Sequence, residues 1–296
     1  GWRQSQHNIR KIKKLFRKAQ KMKRSTSKNP AKQAARQDLI KPAHHAYLEM
    51  VESFLKKVRE TVKLLRDGEL AGKDELQELE RFIKHAERQI DQIRRRVLAG
   101  EIIPHNEKVF SVFEEHTEWI CKGKAGVPQE LGLRVCILED QYGFVLHHHV
   151  MQKQTDEAVA IFMVHETKSR FAGLSSCSFD KGFYTPQNRR DFVEMLDMPI
   201  LPKKGRLSEA DRERQFAEEF VQGRQQHPAV ESGINALENH GLDRCPDHGL
   251  EGFIRYVGLA VVARNLQILG HLIQQRTLQQ QKRSACIRKA LARKRQ

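Results

Sequence analysis

Apolar residues recur at steps of three and four through the first hundred residues of the chain. Residues 8–22 carry one such stripe with Lys and Arg between its members, a pattern that predicts a basic amphipathic helix. Two longer stripes, at about 43–66 and 74–98, flank the Gly-containing turn 67–72. Because amphipathic helices joined by a short turn pack side by side, we predict an antiparallel helical hairpin after the basic helix.

After Gly100 the apolar positions shorten to runs typical of β-strands. Residues 131–139 and 144–150 flank a turn at 140–143, so this segment predicts a β-hairpin. Further strands are predicted at 175–179 and 198–201, and further helices at 156–171, at 186–195 and after residues 208 and 228. Strands that alternate with helices after an initial hairpin favour a mixed α/β sheet with helices on its faces.

The longest apolar stretch, residues 253–273, is interrupted by Arg255, Arg264 and Asn265. These polar residues favour a buried helix over a membrane-spanning one. The five cysteines are scattered and include no Cys-x-x-Cys pair, and no signal peptide is visible. We therefore expect a cytoplasmic protein with free thiols and no membrane association.

Positive charge is concentrated at the two ends of the chain. Residues 1–37 hold 13 Lys or Arg and residues 252–296 hold 10, and neither segment contains an acid. Taking these 23 from the chain's 53 basic residues leaves 30 against all 37 acids, so the middle carries −7 within an overall charge of +16. Basic ends on an acidic body favour nucleic acid as a partner, because Lys and Arg replace the counterions of its phosphates.

Two acids carry candidate chemistry. Asp180 follows a predicted strand, which places it at the carboxyl edge of the sheet, where open α/β sheets hold their sites. Glu231 lies in the first turn of the helix that begins near Pro228. Carboxylates are suitable ligands for Mg²⁺, and two such ions can activate a hydroxyl and stabilise the leaving oxygen in a displacement at phosphorus. On pattern alone, a turn role for Asp180 and a helix-dipole role for Glu231 stay open.

Sequence runs around both acids carry a family resemblance. The run Asp180-Lys-Gly-Phe-Tyr-Thr-Pro-Gln-Asn188 places an Asp-x-Gly-aromatic sequence directly after a strand. The stretch Arg224-Gln-Gln-His-Pro-Ala-Val-Glu-Ser-Gly-Ile-Asn235 is followed by Asn239-His-Gly-Leu-Asp-Arg-Cys245. These runs resemble the second-acid and third-acid motifs of bacterial insertion-sequence DDE transposases. The likeness to the ISNCY group of these enzymes extends through residues 108–120, the Lys122-Gly-Lys124 turn and the 131–150 hairpin.

The resemblance implies an RNase H-like mixed sheet, Mg²⁺ as cofactor, and double-stranded DNA with terminal inverted repeats as substrate. It also implies strand cleavage and joining of a 3′ hydroxyl to target DNA by a homo-oligomer on the bacterial nucleoid, with no small-molecule substrate. Asp180 and Glu231 would then be the catalytic, metal-binding acids. Residues that match the motifs or lie near the expected site are predicted to contact DNA: Lys122, Lys124, Lys203, Lys204, Arg206, Arg224, His227, Asn235 and Arg244.

The sequence departs from the family pattern at two points. Many relatives carry a Tyr-x2-Arg-x3-Glu-x6-Lys signature around the last acid, of which this chain keeps only Glu231. The family's first acid lies on the first strand of the fold, and residues 1–100 contain no apolar strand that carries an Asp. Glu130, Asp140 and Asp156 each have an adequate structural role. We therefore interpret the chain as the C-terminal portion of a transposase, cut off after its first acid and inactive alone.

The sequence thus predicts four regions along the chain. They are a basic helical arm at 1–37, a helical hairpin at 38–100, an incomplete RNase H-like core at 101–250, and an apolar helix with a basic tail at 251–296. Two other interpretations stay open, a transposase-derived protein that binds DNA or multimerises without chemistry, and a metal-dependent nuclease with an unrecognised third acid.

Without the first strand, the strand before Asp180 would keep an unpaired edge, which is costly. We therefore expect poor stability or aggregation of the isolated chain.

Overall fold

The computed structural model describes residues 2–24, 29–121 and 129–293. These residues are mostly helical and contain three short two-stranded sheets, so the chain has a mixed α/β fold. They form two compact units, residues 1–115 and 116–296, and each unit has its own core.

The first unit contains three helices, α1 (Ser5–Arg24), α2 (Pro30–Asp67) and α3 (Lys73–Ile93), the last continuing as a π-helical turn at Arg94–Leu98. The strands of the second unit are β1 (Glu118–Cys121), β2 (Gln129–Gly132), β3 (Arg134–Glu139), β4 (Val145–Met151), β5 (Ser176–Ser178) and β6 (Met198–Ile200). Its helices are α4 (Asp156–Arg170), α5 (Pro186–Met195), α6 (Glu209–Phe216), α7 (Glu218–Gln226), α8 (Pro228–Leu237) and α9 (Gly249–Arg293), with a π-helical turn at Glu238–Leu242.

Contacts between helices hold the first unit together. Leu48 and Leu55 of α2 and Ile90 of α3 are buried in one apolar cluster, which confirms that these two predicted helices pack on each other. Helix α1 lies along α2, and Trp2 just ahead of α1 donates a hydrogen bond from its indole nitrogen to Thr61 Oγ1 at 3.1 Å. The apolar stripe of α1 therefore faces α2, and the Lys and Arg residues between positions 10 and 21 face solvent.

Helix α2 begins earlier than its sequence pattern predicted. The apolar stripe predicted a start near residue 43. In the structure the helix begins at Pro30, runs through Pro42, and is capped by Asn29, whose side chain accepts from two backbone amides of the first turn. Packing against α1 offsets the hydrogen bond that Pro42 cannot make.

Three separate sheets form the strand part of the second unit. Strands β3 and β4 pair antiparallel, which confirms the predicted hairpin, and β5 and β6 pair parallel across the helix α5. The prediction of one continuous strand at 131–139 is wrong, because the strand is divided at Leu133. Its first part, β2, pairs with β1 instead, while β3 pairs with β4.

Helix α4 supplies the largest core of the second unit. Val159, Ala160, Met163 and Val164 are buried against the β3–β4 hairpin and the segment after β5. A second, smaller cluster joins Val145 of β4 with Leu237 of α8 and with Ala260 and Val261 of α9. The hairpin thus has α4 on one face and α8 with α9 on the other.

Helix α9 differs from the buried helix that its apolar sequence predicted. Val257, Ala260 and Val261 are buried, but Leu259, Leu266 and other apolar side chains of the same helix are more than half exposed. Only one face contacts β4 and α8, and the helix continues far past them. In the part of the chain that the structure describes, Gly249–Ala285 is the one segment whose length and composition would allow it to cross a membrane. Core helices of soluble proteins and signal sequences can meet the same criterion.

Candidate active site

Asp180 lies two residues beyond β5, at the start of a short 3₁₀ turn. Its side chain is 68% exposed, and its Oδ1 lies 3.1 Å from Nε2 of His227. A carboxylate this open to solvent can take a further ligand without moving protein atoms away. The exposed position fits a chemical role better than a role in the core.

His227 joins the end of β5 to the start of α8. Its Nδ1 lies 3.0 Å from Ser178 Oγ, and its Nε2 contacts Asp180. In the neutral ring, an Nε2–H that donates to the carboxylate leaves Nδ1 to accept from the serine hydroxyl. Its imidazole is 13% exposed, so the histidine is a fixed link between the two elements.

Glu231 lies one helical turn after His227, in the first turn of α8 as predicted. Its side chain is exposed, and it shares a face of α8 with the exposed Asn235 and Glu238 at steps of four and three. Glu231 and Asp180 both line a single cavity of about 1180 Å³. The structure therefore places the two predicted acids on the wall of the same cavity, with His227 in contact with Asp180 and one helical turn before Glu231.

Two cations bind the backbone on either side of Asp180. Lys204 donates from Nζ to the carbonyl of Gly182 at 3.0 Å, and Arg224 donates to the carbonyl of Phe179 at 3.2 Å. These hydrogen bonds fix the loop that carries the carboxylate. They also place two positive charges beside it, where they would favour an approaching phosphate.

The other predicted DNA contacts divide into three groups. Lys203 forms an ion pair with the buried carboxylate of Asp211, so its charge is already neutralised within the fold. Arg206 and Arg244 are exposed, as Asn235 is. Lys122 and Lys124 lie outside the residues that the structure describes.

Asp211 is the centre of a buried charge network below this loop. Its carboxylate also accepts from Arg189 at 3.3 Å and from the hydroxyl of Ser208 at 2.6 Å. Hydrogen bonds from Lys203 and then Ser208 hold the pKa of the Asp211 carboxyl well below its usual range. The network fixes the segment from Lys203 to the capped start of α6.

The acids considered as replacements for a first catalytic acid have structural partners. Asp140 accepts from the backbone amides of Tyr142 and Phe144, both at 2.9 Å, and so closes the hairpin turn. Asp156 pairs with Arg134 at 3.2 Å. Glu130 lies half-buried in β2, on the same cavity.

Glu139 is a residue that the sequence pattern did not single out. It ends β3 just after a shift in strand register, which turns its side chain toward α8. Its Oε2 is buried without a hydrogen-bond partner among the described residues, and burial raises the pKa of its carboxyl. The backbone of Gly233 lies so close that a Cβ there would be 1.9 Å from Oε2. The sequence signal was a carboxylate at the end of an apolar strand, the same signal that indicated Asp180.

The described residues contain no cluster of three or more His, Cys, Asp or Glu side chains arranged to hold a metal ion. Asp180 and Glu231 therefore supply two candidate ligands, without a third acid placed beside them in this part of the chain. Comparison of the chain with protein-family models, with curated proteins and with solved structures gives no match.

Proposed function

We propose that Asp180 and Glu231 are two of the three acids of a metal-dependent DNA strand-transfer site, of the kind found in RNase H-like DDE transposases. The observation that supports this most directly is that both carboxylates are exposed and line one cavity, with His227 against the first and one turn before the second. The bound Mg²⁺ would activate the attacking hydroxyl and stabilise the leaving oxygen. The carboxylates would hold the metal, while Lys204 and Arg224 would attract the phosphate.

A complete site needs a third carboxylate. Six further acids line the same cavity, but none of them forms a group of three possible metal ligands with Asp180 and Glu231 among the described residues: Glu130, Glu139, Asp140, Asp156, Glu238 and Asp243. Burial raises the pKa of the Glu139 carboxyl, whose Oε2 is enclosed by the protein, and the carboxylate of Asp156 is paired with Arg134. We therefore propose that the described part of the chain binds a metal weakly and does not cleave DNA until a third acid is added.

The proposal includes double-stranded DNA as partner. Arg10, Lys14, Arg17 and Lys21 are all exposed and lie on α1 at steps of three and four, so they form one basic face. Such a face can neutralise several phosphates along one DNA strand.

The proposal also includes self-association through α9. Five exposed apolar residues follow one another at steps of three, four, three and four: Leu259, Val262, Leu266, Leu269 and Ile273. This is the heptad spacing at which two helices interlock their side chains. A second copy of the chain carries the identical stripe, and is the occupant we propose.

Metal binding tests the site without requiring catalysis. Mn²⁺ added to the purified chain should bind weakly, as followed by electron paramagnetic resonance, and Asp180→Asn and Glu231→Gln should each weaken that binding several-fold. Glu194→Gln, an exposed acid on α5, is the matched control and should bind Mn²⁺ like the unsubstituted chain. Equal binding by all four proteins would refute the site.

A nicking assay on supercoiled DNA with Mn²⁺ separates the remaining possibilities. We expect no cleavage by the chain alone. Cleavage that disappears in both Asp180→Asn and Glu231→Gln would support the site but overturn the need for an added acid. Salt-sensitive DNA binding without metal binding at these residues would favour the second candidate function, DNA binding without chemistry, which the basic face of α1 supports.

A further inference from the structure

A serine, a histidine and a carboxylate form a chain of contacts at the end of β5. Ser178 Oγ lies 3.0 Å from Nδ1 of His227, and Nε2 of the same ring lies 3.1 Å from Asp180 Oδ1. In enzymes that use a serine, the nucleophile, its general base and the group that orients this base are separated by about 2.6–3.2 Å. Such a triad is recognised by its geometry and not by sequence position, and these three residues satisfy that geometry.

The two ring nitrogens of His227 have distinct parts in this arrangement. An ionised carboxylate can only accept a hydrogen bond, so the nitrogen that faces Asp180, Nε2, carries the hydrogen. The lone pair of Nδ1 then faces the hydroxyl of Ser178 and can take its proton. In serine proteases the nitrogens serve in the opposite order, with Nε2 against the serine. The reaction requires one nitrogen to accept the proton and the other to be held by an acid, so both orders meet the requirement.

The fold holds each of the three residues in place. Ser178 is the last residue of β5 and pairs with Ile200 of β6. Asp180 begins the 3₁₀ turn that follows, and His227 lies at the junction of α7 and α8 with 13% of its side chain exposed. The contacts therefore join elements that backbone hydrogen bonds already fix, as preorganised catalytic groups require.

Positive charge lies beside the serine. Arg224 donates from Nη1 to the carbonyl of Phe179, the residue that follows Ser178, at 3.2 Å. A guanidinium has five N–H donors, so it can hold this carbonyl and donate to a second oxygen as well. Donors fixed where negative charge develops on a carbonyl oxygen are usually the largest contribution to the rate of acyl transfer. Arg224 is the group that can supply them to a substrate bound at Ser178.

The cavity of about 1180 Å³ gives a substrate access to the serine. Ser178, His227 and Asp180 all line it. Apolar residues of β3, α4 and β6 line the same cavity: Leu138, Met163 and Ile200. An apolar lining with a few polar groups at one place is typical of small-molecule sites, and it suits an apolar acyl chain.

We propose that Ser178 is the nucleophile of a hydrolase site for small carboxylic esters with an apolar acyl chain. Its Oγ forms a bond to the ester carbonyl carbon while its proton passes to Nδ1 of His227. The carbon–oxygen bond to the alcohol then breaks, and the leaving oxygen takes that proton from Nδ1. Water adds to the acyl-serine with the same base, which releases the carboxylic acid and restores the hydroxyl. Asp180 is here a positioning residue for the ring, a part distinct from its proposed metal binding.

A fluorophosphonate probe tests the nucleophile in the full chain. The probe forms a bond from its phosphorus to an activated serine oxygen as fluoride leaves, and we expect it on the peptide that contains Ser178, as identified by mass spectrometry. The reaction is run in EDTA, because it needs no metal, so its outcome is independent of the proposed Mg²⁺ site. Absence of labelling, or labelling of other residues only, would overturn the proposal.

Ser178→Ala should abolish the labelling, and Ser176→Ala is the matched control. Ser176 is an exposed serine of the same strand whose hydroxyl donates to the Met198 carbonyl at 3.1 Å, so its replacement should leave the labelling unchanged. Equal labelling of both variants would contradict the assignment. The peptide map of the unsubstituted chain decides the proposal even where a variant fails to fold.

Hydrolysis of p-nitrophenyl butyrate tests the two partners of Ser178. His227→Gln should lower kcat by about 10²–10⁴-fold, the usual contribution of a general base. Asp180→Asn should lower kcat with little change in KM, because this carboxylate acts on the ring and not on the substrate. Glu194→Gln should hydrolyse the ester like the unsubstituted chain. Unchanged kcat in a His227→Gln variant that keeps its melting temperature would refute the general base and with it the triad.

Discussion

Asn265 shows how much one polar side chain can do in the second unit. Its carboxamide oxygen accepts from the backbone N–H of Val145 at 2.9 Å, and its nitrogen donates to the Val145 carbonyl at 3.0 Å. One amide thus satisfies both backbone groups at the start of β4, as a neighbouring strand would. In the sequence the same residue was read only as an interruption of an apolar stretch.

Replacing this side chain should therefore destabilise the second unit. Asn265→Ala leaves the N–H and C=O of Val145, a buried residue, without partners, and we expect a loss of about 1–3 kcal/mol in the free energy of unfolding. Urea denaturation followed by circular dichroism measures it. Gln274→Ala, at an exposed position on the same helix, should change the stability little. Equal stability of both variants would mean that water replaces the amide without cost.

Asp211 should make the stability of the second unit depend on acid pH. Its carboxyl has a depressed pKa in the folded chain and titrates near the usual value of about 3.9 when unfolded. Its stabilising contribution is therefore present above about pH 4 and is lost as the pH falls further.

Asp211→Asn should lower the melting temperature by several degrees at pH 7, and the difference should shrink as the pH falls below about 4. Thermal melts across this pH range measure the effect. Asp243→Asn, an exposed acid of the same unit, is the control and should melt like the unsubstituted chain throughout. A difference that stayed constant with pH would show that Asp211 acts through packing rather than charge.

At the scale of elements, periodicity and turn chemistry predicted most of the helices and the β3–β4 hairpin. The N-caps at Thr185 and Ser208 were visible because hydroxyl residues there precede a first turn that they can bind. The division of the strand at Leu133 could not be predicted, because the strands that pair on either side of it decide where it falls. The exposure of α9 could not be predicted either, because apolar composition does not show how much of a helix packs against the rest of the fold.

The stripe on α9 gives a prediction at this scale. Leu266→Glu combined with Ile273→Glu places charges in the middle of the proposed helix pair, so self-association measured by sedimentation velocity should be lost. Both side chains are more than half exposed in the single chain, so the folding of each copy should be preserved. Leu278→Glu, exposed on the same helix but off the stripe, should leave the association unchanged. A monomeric unsubstituted chain would contradict the proposal directly.

At the scale of the whole molecule, the concentration of positive charge at the two ends matters more for DNA binding than the total charge of +16. Arg10, Lys14 and Arg17 are exposed on the basic face of α1, where they can replace counterions along a DNA backbone. Substituting all three by Gln should lower the slope of log binding constant against log salt by up to about 0.9 for each lost phosphate contact.

Fluorescence anisotropy of a labelled duplex at several salt concentrations measures this slope. The control exchanges three exposed lysines of α2 and α3, Lys56, Lys63 and Lys73, for Gln, which removes the same charge. An equal change in both triple variants would mean that net charge, and not the basic face of α1, determines the affinity.

The candidate site was predictable from sequence as far as its two acids are concerned. Asp180 and Glu231 were found because a carboxylate after a strand and a carboxylate in a first helical turn leave local patterns. The contact of His227 with Asp180 joins residues 47 positions apart, and no local pattern encodes it. The buried carboxyl of Glu139 depends on a register shift and on the neighbouring Gly233, which only the folded chain brings together.

The hydrogen bonds between Asn265 and Val145 also have a consequence for folding rate. They connect residues 120 positions apart, whereas the β3–β4 hairpin closes over a turn of a few residues. Closing a long loop costs more chain entropy, and contacts of this kind slow folding in proportion to their sequence separation. We expect the hairpin to form early and α9 to dock late, so the residues of α9 must leave the ribosome before the second unit can close. Until then the apolar face that α9 covers stays open to other chains.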